Sequence, residues 1–307
     1  MEIFTKKSIL LGILCIFIFY TIFIWYTGFD KIVGIFDSLN WFSLIPIFSI
    51  LSITVFLRSL VQKVLLNKIG IKRSVKENFF VYLAGLSMII TPGGTGVIIK
   101  SYFLKNKFNH EISQTLPITF IERFFDLIAI IILLLVTLSL TFSFNPFVIT
   151  LILGFFTSIV FIILKKYQKI IFKISVKLKI LKKFTESPEF EKSLNQLIDK
   201  KTISFMIPSI LGIVFLESLM FYIGFNAFNH NFSYVDSIQV FYSSILVGSL
   251  ALIPGGIGIT EGFFISLLLE KGIAFELSSA IIIFLRFSTL WVISCVGFFV
   301  AYQKFLK

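Results

Sequence analysis

Six apolar stretches, over residues 8–27, 41–66, 115–140, 145–164, 203–228 and 278–303, constrain this chain more than any other feature. Each is near the roughly 20 residues a helix needs to cross a bilayer. Inside hydrocarbon, backbone polar groups must pair within the segment, so each stretch is expected to be a helix. Composition agrees: 57% of residues are hydrophobic and 14% charged, where a soluble domain is about a quarter charged. Lys6 and Lys7 precede the first stretch and no small-residue cleavage site follows, so we expect a retained first span rather than a leader. Cys15 and Cys295 lie inside apolar runs and point to neither a metal site nor a disulfide.

Two shorter apolar segments have a different form. Asn78 to Ile90 runs into Pro92-Gly93-Gly94-Thr95-Gly96 and then Val97 to Leu104. Ser237 to Ile253 runs into Pro254-Gly255-Gly256-Ile257-Gly258 and then Gly262 to Leu269. Basic residues favour the cytoplasmic side, and they place the loops. Lys6 and Lys7 put the N-terminus inside; Lys63, Lys68, Lys72, Arg73 and Lys76 bring the second span back inside. Lys100, Lys105 and Lys107 follow the first break, so that segment enters and leaves on one face. The loop 28–40 is expected outside. Residues 165–201, with eleven lysines and four acids, are expected inside, and Lys304 and Lys307 place the C-terminus there too. By this count 23 of 28 basic residues fall in inside loops, two outside and three within spans. The expected fold is an all-α polytopic membrane protein with six full spans and two re-entrant hairpins, 78–104 and 237–269, entering from opposite faces.

The halves resemble each other. Val55-Phe56-Leu57-Arg58-Ser59-Leu60 matches Val214-Phe215-Leu216-Glu217-Ser218-Leu219 at all but one position. The Pro-Gly-Gly motifs match, Arg123 lies 31 residues after the first proline, and Arg286 lies 32 after the second. An odd number of spans per half makes the repeat inverted, an architecture of transporters. The first membrane repeat is expected in 1–164, with 145–164 opening the second. Residues 165–201 form a basic cytoplasmic linker or surface helix that Ser187-Pro188 breaks, and 202–307 complete the second repeat.

Three groups of residues carry the candidate chemistry. At the tips, Pro92, Gly93, Gly94, Gly96, Pro254, Gly255, Gly256 and Gly258 end one helix and start another. The amides that follow suit an anion such as a lipid phosphate, or the motif is a tight turn between packed helices. Arg58, Arg123 and Arg286 sit deep in apolar segments, where an arginine costs roughly 2.5–3.5 kcal/mol on insertion scales. Glu122, Asp126, Glu217 and Glu261 are their candidate partners, and Arg123 shares a helix face with Asp126. These charges either glue spans together or line a cavity whose guanidinium groups hold phosphate. Glu261 either caps the second arm or binds a proton or cation that drives transport.

Other classes find no support. The net charge of +12 would suit nucleic acid, but no nucleic-acid motif is present, and the charge marks inside loops and the anionic lipid surface. His110 and His230 fall on opposite sides and share no metal site. No phosphate-binding Gly-rich loop and no nucleophile–base pair occur, so neither cofactor nor enzyme activity is expected.

At these residues the chain resembles the lysylphosphatidylglycerol synthase transmembrane (flippase-like) family. The features are Pro92-Gly93-Gly94-Thr95-Gly96 with Lys100-Ser101-Tyr102-Phe103-Leu104, Glu122-Arg123-Phe124-Phe125-Asp126-Leu127, Leu252-Ile253-Pro254-Gly255-Gly256-Ile257-Gly258 with Glu261, and Arg286. The resemblance implies movement of a lipid with a modified head group between leaflets of the cell membrane. It does not imply synthesis, because the soluble aminoacyl-transfer domain of the fused members is not in this sequence. Thr95 and Val97-Ile98 stand where members often carry a charge, which leaves the first tip less polar. Membrane lipids are the expected partner. A lipid-modifying enzyme or glycosyltransferase, recruited through the basic segment, is the alternative.

Overall fold

The computed structural model describes residues 6–88, 95–142, 184–250 and 254–305. Among them every regular element is a helix. The helices are α1 (Lys6–Thr27), α2 (Phe29–Asp37), α3 (Leu44–Lys68), α4 (Val75–Leu86), α5 (Thr95–Phe108) and α6 (Ile112–Phe142). They continue with α7 (Pro188–Leu197), α8 (Lys200–Asn226), α9 (Tyr234–Leu250), α10 (Ile259–Glu270), α11 (Phe275–Arg286) and α12 (Val292–Lys304).

Four segments are long and apolar enough to cross a bilayer: Trp41–Lys68, Ile112–Thr141, Lys200–Asn226 and Phe275–Lys304. Each overlaps an expected span over nearly its whole length. A fifth candidate is bent, with Phe17–Thr27 and Phe29–Asp37 meeting at 88°. The expected span 145–164, the tip residues Pro92, Gly93 and Gly94, and linker residues 165–183 lie outside the described residues.

Helix ends follow local chemistry. Asn40 accepts a hydrogen bond from the Phe42 amide at 3.1 Å, opening the 3-10 turn that leads into α3. Asp199 accepts from the Thr202 amide at 2.8 Å and caps α8. Lys68 donates to the other Asp199 oxygen at 2.7 Å, and these bonds hold the carboxyl at about 2. Ser187 caps α7, with Pro188 in its first turn. The pair expected to break a surface helix therefore starts a helix. Phe190, Ser193, Leu194 and Leu197 of α7 are buried, and Phe190 meets Phe120 of α6 edge to face. This end of the linker is held by packing on α6.

Two differences from expectation stand out. The segment 28–40 was expected only as a loop between spans, but Phe29–Asp37 is helical. Ile32 turns inward and Phe36 packs on Phe228, while Phe29 and Val33 stay exposed. An apolar face left outside beside Asp30, Lys31 and Asp37 is the pattern of a helix lying in the membrane interface. The second difference is a π-helical turn over Phe287–Trp291, which interrupts the last span directly after Arg286.

Three of the four helices flanking the Pro-Gly-Gly motifs, α4, α5 and α10, are short. At 1.5 Å per residue, α4 and α10, with 12 residues each, reach about 18 Å, well under the roughly 30 Å hydrocarbon core. In the second break, a 3-10 turn over Pro254–Gly256 precedes α10. Gly256 and Gly258 there have φ of 67° and 87°, values that side-chain-bearing residues rarely adopt. A Cβ on Gly256 would also run into Thr260 and the Gly248 backbone.

The residues group into two compact units that do not follow chain order. One holds α1, α2, the start of α3, the later part of α8, α9 to α11 and most of α12. The other holds the rest of α3, α4, nearly all of α5, α6, α7 and the first part of α8.

Candidate functional site

Each unit encloses one cluster of charged side chains. In the second unit the cluster draws on four helices. Arg58 of α3 pairs with Asp126 of α6, Nη1 to Oδ1, at 2.5 Å. Arg123, one turn before Asp126, reaches its other oxygen at 3.3 Å. Lys100 of α5 donates to Glu122 Oε2 at 2.7 Å, and its ammonium lies 4.1 Å above the ring of Tyr82 on α4. Asn78 donates to the Ser59 carbonyl and ties α4 to α3. Gly85 makes room for the lysine, because a Cβ there would overlap the Lys100 stem. A cavity of about 10 Å³ is lined by Arg58, Tyr82, Glu122, Arg123 and Asp126 among others, about the space one water fills. The remaining Glu122 oxygen is buried there without a hydrogen-bond partner among the described residues.

Burial within this cluster is graded. The Lys100 side chain is 4% exposed, Arg58 16% and Arg123 47%. Arg123 was expected to be deep; instead its guanidinium is nearly half exposed. Lys100 was expected to be a loop lysine marking the inner face; instead it is buried and paired. The expected inside tally falls by one. An arm that looks apolar around Ile98 and Ile99 can hide a lysine only where a carboxylate meets it, and Glu122 does.

In the first unit the cluster is neutral. Glu261, in the first turn of α10, receives three donors. The Gly258 amide reaches Oε2 at 2.7 Å, while the Tyr20 hydroxyl and Arg286 Nε reach Oε1 at 2.9 and 2.8 Å. Glu261 is thus both helix cap and ion-pair partner. Arg286 Nη2 also donates to the Gly255 carbonyl at 3.2 Å, so the guanidinium holds the turn and the arm together. Tyr20 packs edge to face on Trp291 of the π-helical turn. The tyrosine escaped the sequence reading because nothing in an apolar span distinguishes it from a packing residue. Beside this cluster, a groove of about 350 Å³ runs between α1 and α10.

Of the remaining expected site residues, Gly96 lies in the first turn of α5, and Glu217 is partly buried on α8. The two ion pairs share a plan with the signs exchanged. After the first motif the arm carries the base, Lys100, and the following helix the acid, Glu122. After the second motif the arm carries the acid, Glu261, and the following helix the base, Arg286. Among the described residues no group of three or more His, Cys, Asp or Glu is placed to hold a metal.

Comparison with known proteins finds other membrane proteins. A UPF0104 membrane protein of Methanocaldococcus jannaschii is 28% identical over 223 residues, covering 71% of this chain and 95% of that one. A UPF0104 membrane protein of Methanothermobacter thermautotrophicus is 29% identical over 110 residues, or 36% of this chain and 32% of that protein. The family described as the lysylphosphatidylglycerol synthase TM region matches residues 9–297, nearly the whole length, and the chain is a member of that family.

Proposed function

We propose that this multi-pass membrane protein is a flippase-like lipid transporter. Its cargo is an anionic or head-group-modified lipid, a phospholipid or a polyprenyl-phosphate-linked sugar, carried between leaflets. The observation that carries this reading is the Arg123 guanidinium, 47% exposed at the edge of a cluster of buried charges. Arg58 and Arg123 both pair with Asp126, and Lys100 pairs with Glu122. The most exposed of the three is Arg123, which shares its carboxylate with Arg58. A guanidinium so placed recognises phosphate by paired, charge-assisted hydrogen bonds.

Two further features support the reading. The family takes its description from synthases of lysylphosphatidylglycerol, so its name points to a head-group-modified lipid. The short arms α4, α5 and α10 beside the Pro-Gly-Gly motifs suit re-entrant hairpins in an inverted repeat, the arrangement in which transporters place broken helices near the midplane. On this reading the protein sits in the cell membrane with both termini inside and has no catalytic role of its own.

The test is reconstitution in liposomes with a fluorescent phospholipid and a fluorescent polyprenyl-phosphate sugar. Arg123→Ala should slow transfer at least about tenfold, the loss of one charged hydrogen bond in a wet site, while leaving the melting temperature nearly unchanged. Full activity in Arg123→Ala would remove the phosphate site from this cluster.

A further inference from the structure

We infer that the groove between α1 and α10 seats one hydrocarbon chain of a membrane lipid, with its terminal methyl at the Glu261 end and its polar head at the Tyr26 end. The inference rests on the protein handling lipid in a bilayer, and it adds where a chain binds. Phe19, Phe23 and Tyr26 form one wall at helical spacing, and Gly262, Ile265 and Leu269 form the other. The groove's 350 Å³ falls within the range of small-ligand sites, roughly 300–1,000 Å³. Its α10 wall runs from Glu261 to Leu269, a rise of about 12 Å. One leaflet contributes about half of the roughly 30 Å core, so the groove takes most of the leaflet-spanning part of one chain, with its deep end beside the turn that precedes α10.

The polar atoms of the wall set which end is which. Glu261 lines the deep end, but its oxygens already take the Tyr20, Gly258 and Arg286 donors. Ser266, the wall's hydroxyl, donates back to the Phe263 carbonyl at 2.8 Å. Among the described residues the deep end therefore has no polar group in need of a partner, and hydrocarbon suits it. The mouth is different. Lys31 pairs with Glu276 next to Phe275, and Lys271, just past Leu269, pairs with Asp236. The Lys31 side chain is 66% exposed, so a lipid phosphate finds an accessible ammonium there.

Gly262 is the independent sign that the groove is kept open. It lies inside α10, where glycine costs about 1 kcal/mol relative to alanine. A Cβ at this position would meet nothing within 4 Å, so no neighbouring protein atom demands the missing side chain. What its absence provides is width.

The experiment uses the full chain in phosphatidylglycerol vesicles doped with phosphatidylglycerol bearing a diazirine at the end of one chain. Cross-links are mapped by peptide mass spectrometry. We expect labelling at Phe19, Phe23 and Ile265 to exceed that at Phe299, an exposed aromatic on α12, by about tenfold, a preference of roughly 1.4 kcal/mol. Gly262→Leu should bring the groove signal down to the Phe299 level without lowering the melting temperature, and Gly262→Ala should lower it part way. A second probe, with the diazirine beside the glycerol, should label Tyr26 and Leu269 instead. Even labelling of Phe19, Ile265 and Phe299 would mean annular lipid only and overturn the inference. So would Gly262→Leu leaving the signal intact, or the two probes exchanging their ends. None of these readouts measures transport, so their failure is separate from that of the Arg123 test.

Discussion

Replacing Lys100 by methionine gives a direct measure of how the second unit is held together. The substitution keeps the length and apolar character of the stem and removes the charge. Lys100 and Glu122 side chains are 4% and 8% exposed, and their charged atoms are 2.7 Å apart. With an effective dielectric constant near 20, unit charges at that separation attract by about 6 kcal/mol. Desolvation offsets much of this, but removing one partner strands the other, and breaking a buried pair typically costs about 3–5 kcal/mol. The stranding is severe here, because the second Glu122 oxygen already has no partner among the described residues. We expect Lys100→Met to destabilise by about 3–5 kcal/mol. Lys100→Met with Glu122→Leu should recover most of the loss, since an apolar pair of similar volume replaces a buried ion pair at little cost. Arg123→Ala serves as the comparison, because a side chain 47% exposed is expected to lose only about 0.2–1 kcal/mol. Unfolding in mixed micelles, followed by tryptophan fluorescence, reads all of these variants. A loss below about 1 kcal/mol for Lys100→Met, or a double variant no more stable than the single, would refute the reasoning.

Tyr20→Phe removes one of three donors to Glu261 and should cost about 1–2 kcal/mol in the same unfolding assay, whereas Tyr26→Phe should change stability by less than half of that. Gly258→Ala forces a residue with a Cβ to φ of 87°, at about 1–2 kcal/mol, and should lower the melting temperature although no charged group is touched. His110 gives a pH dependence: its Nε2 lies 2.8 Å from Arg73 Nη2, and since arginine can only donate, that nitrogen accepts. Burial, with the Arg73 charge as a second cause, pushes the imidazole below its ordinary value. The unfolded chain then binds the proton more readily, so His110's contribution is fully present above about pH 6.5 and falls as the pH drops below that. The melting temperature should therefore decline between pH 7.5 and pH 5 by more in the wild type than in His110→Asn.

Reading the sequence located the spans because a helix in hydrocarbon has one requirement, a sufficient run of apolar residues, and that requirement is local. Trp41–Lys68, Ile112–Thr141, Lys200–Asn226 and Phe275–Lys304 were all legible for this reason. So was the second break, since successive glycines after a proline can hardly continue a helix. The pairing of Arg123 with Asp126 follows from helical spacing alone, and Glu261 was legible as a cap from its place three residues after Gly258. Lys100 was misread because charge counting treats each lysine as solvated, and only the approach of Glu122 from another helix makes its burial tolerable. α2 was misread because nine residues holding three charges look like a loop until Phe228 supplies something for Phe36 to pack on.

What the sequence determined by itself is thus the medium, the helices and the inventory of charges, all properties of short windows of chain. Tertiary structure decided which charges meet. Tyr20 reaches Glu261 across 241 positions and Arg58 reaches Asp126 across 68, so no local pattern records either contact. The physical reason is that a charge in a low-dielectric setting is stable only beside its counter-charge, and the partner's position is a property of packing between distant helices. The same residue types, packed otherwise, would have been equally consistent with every local rule that the chain obeys.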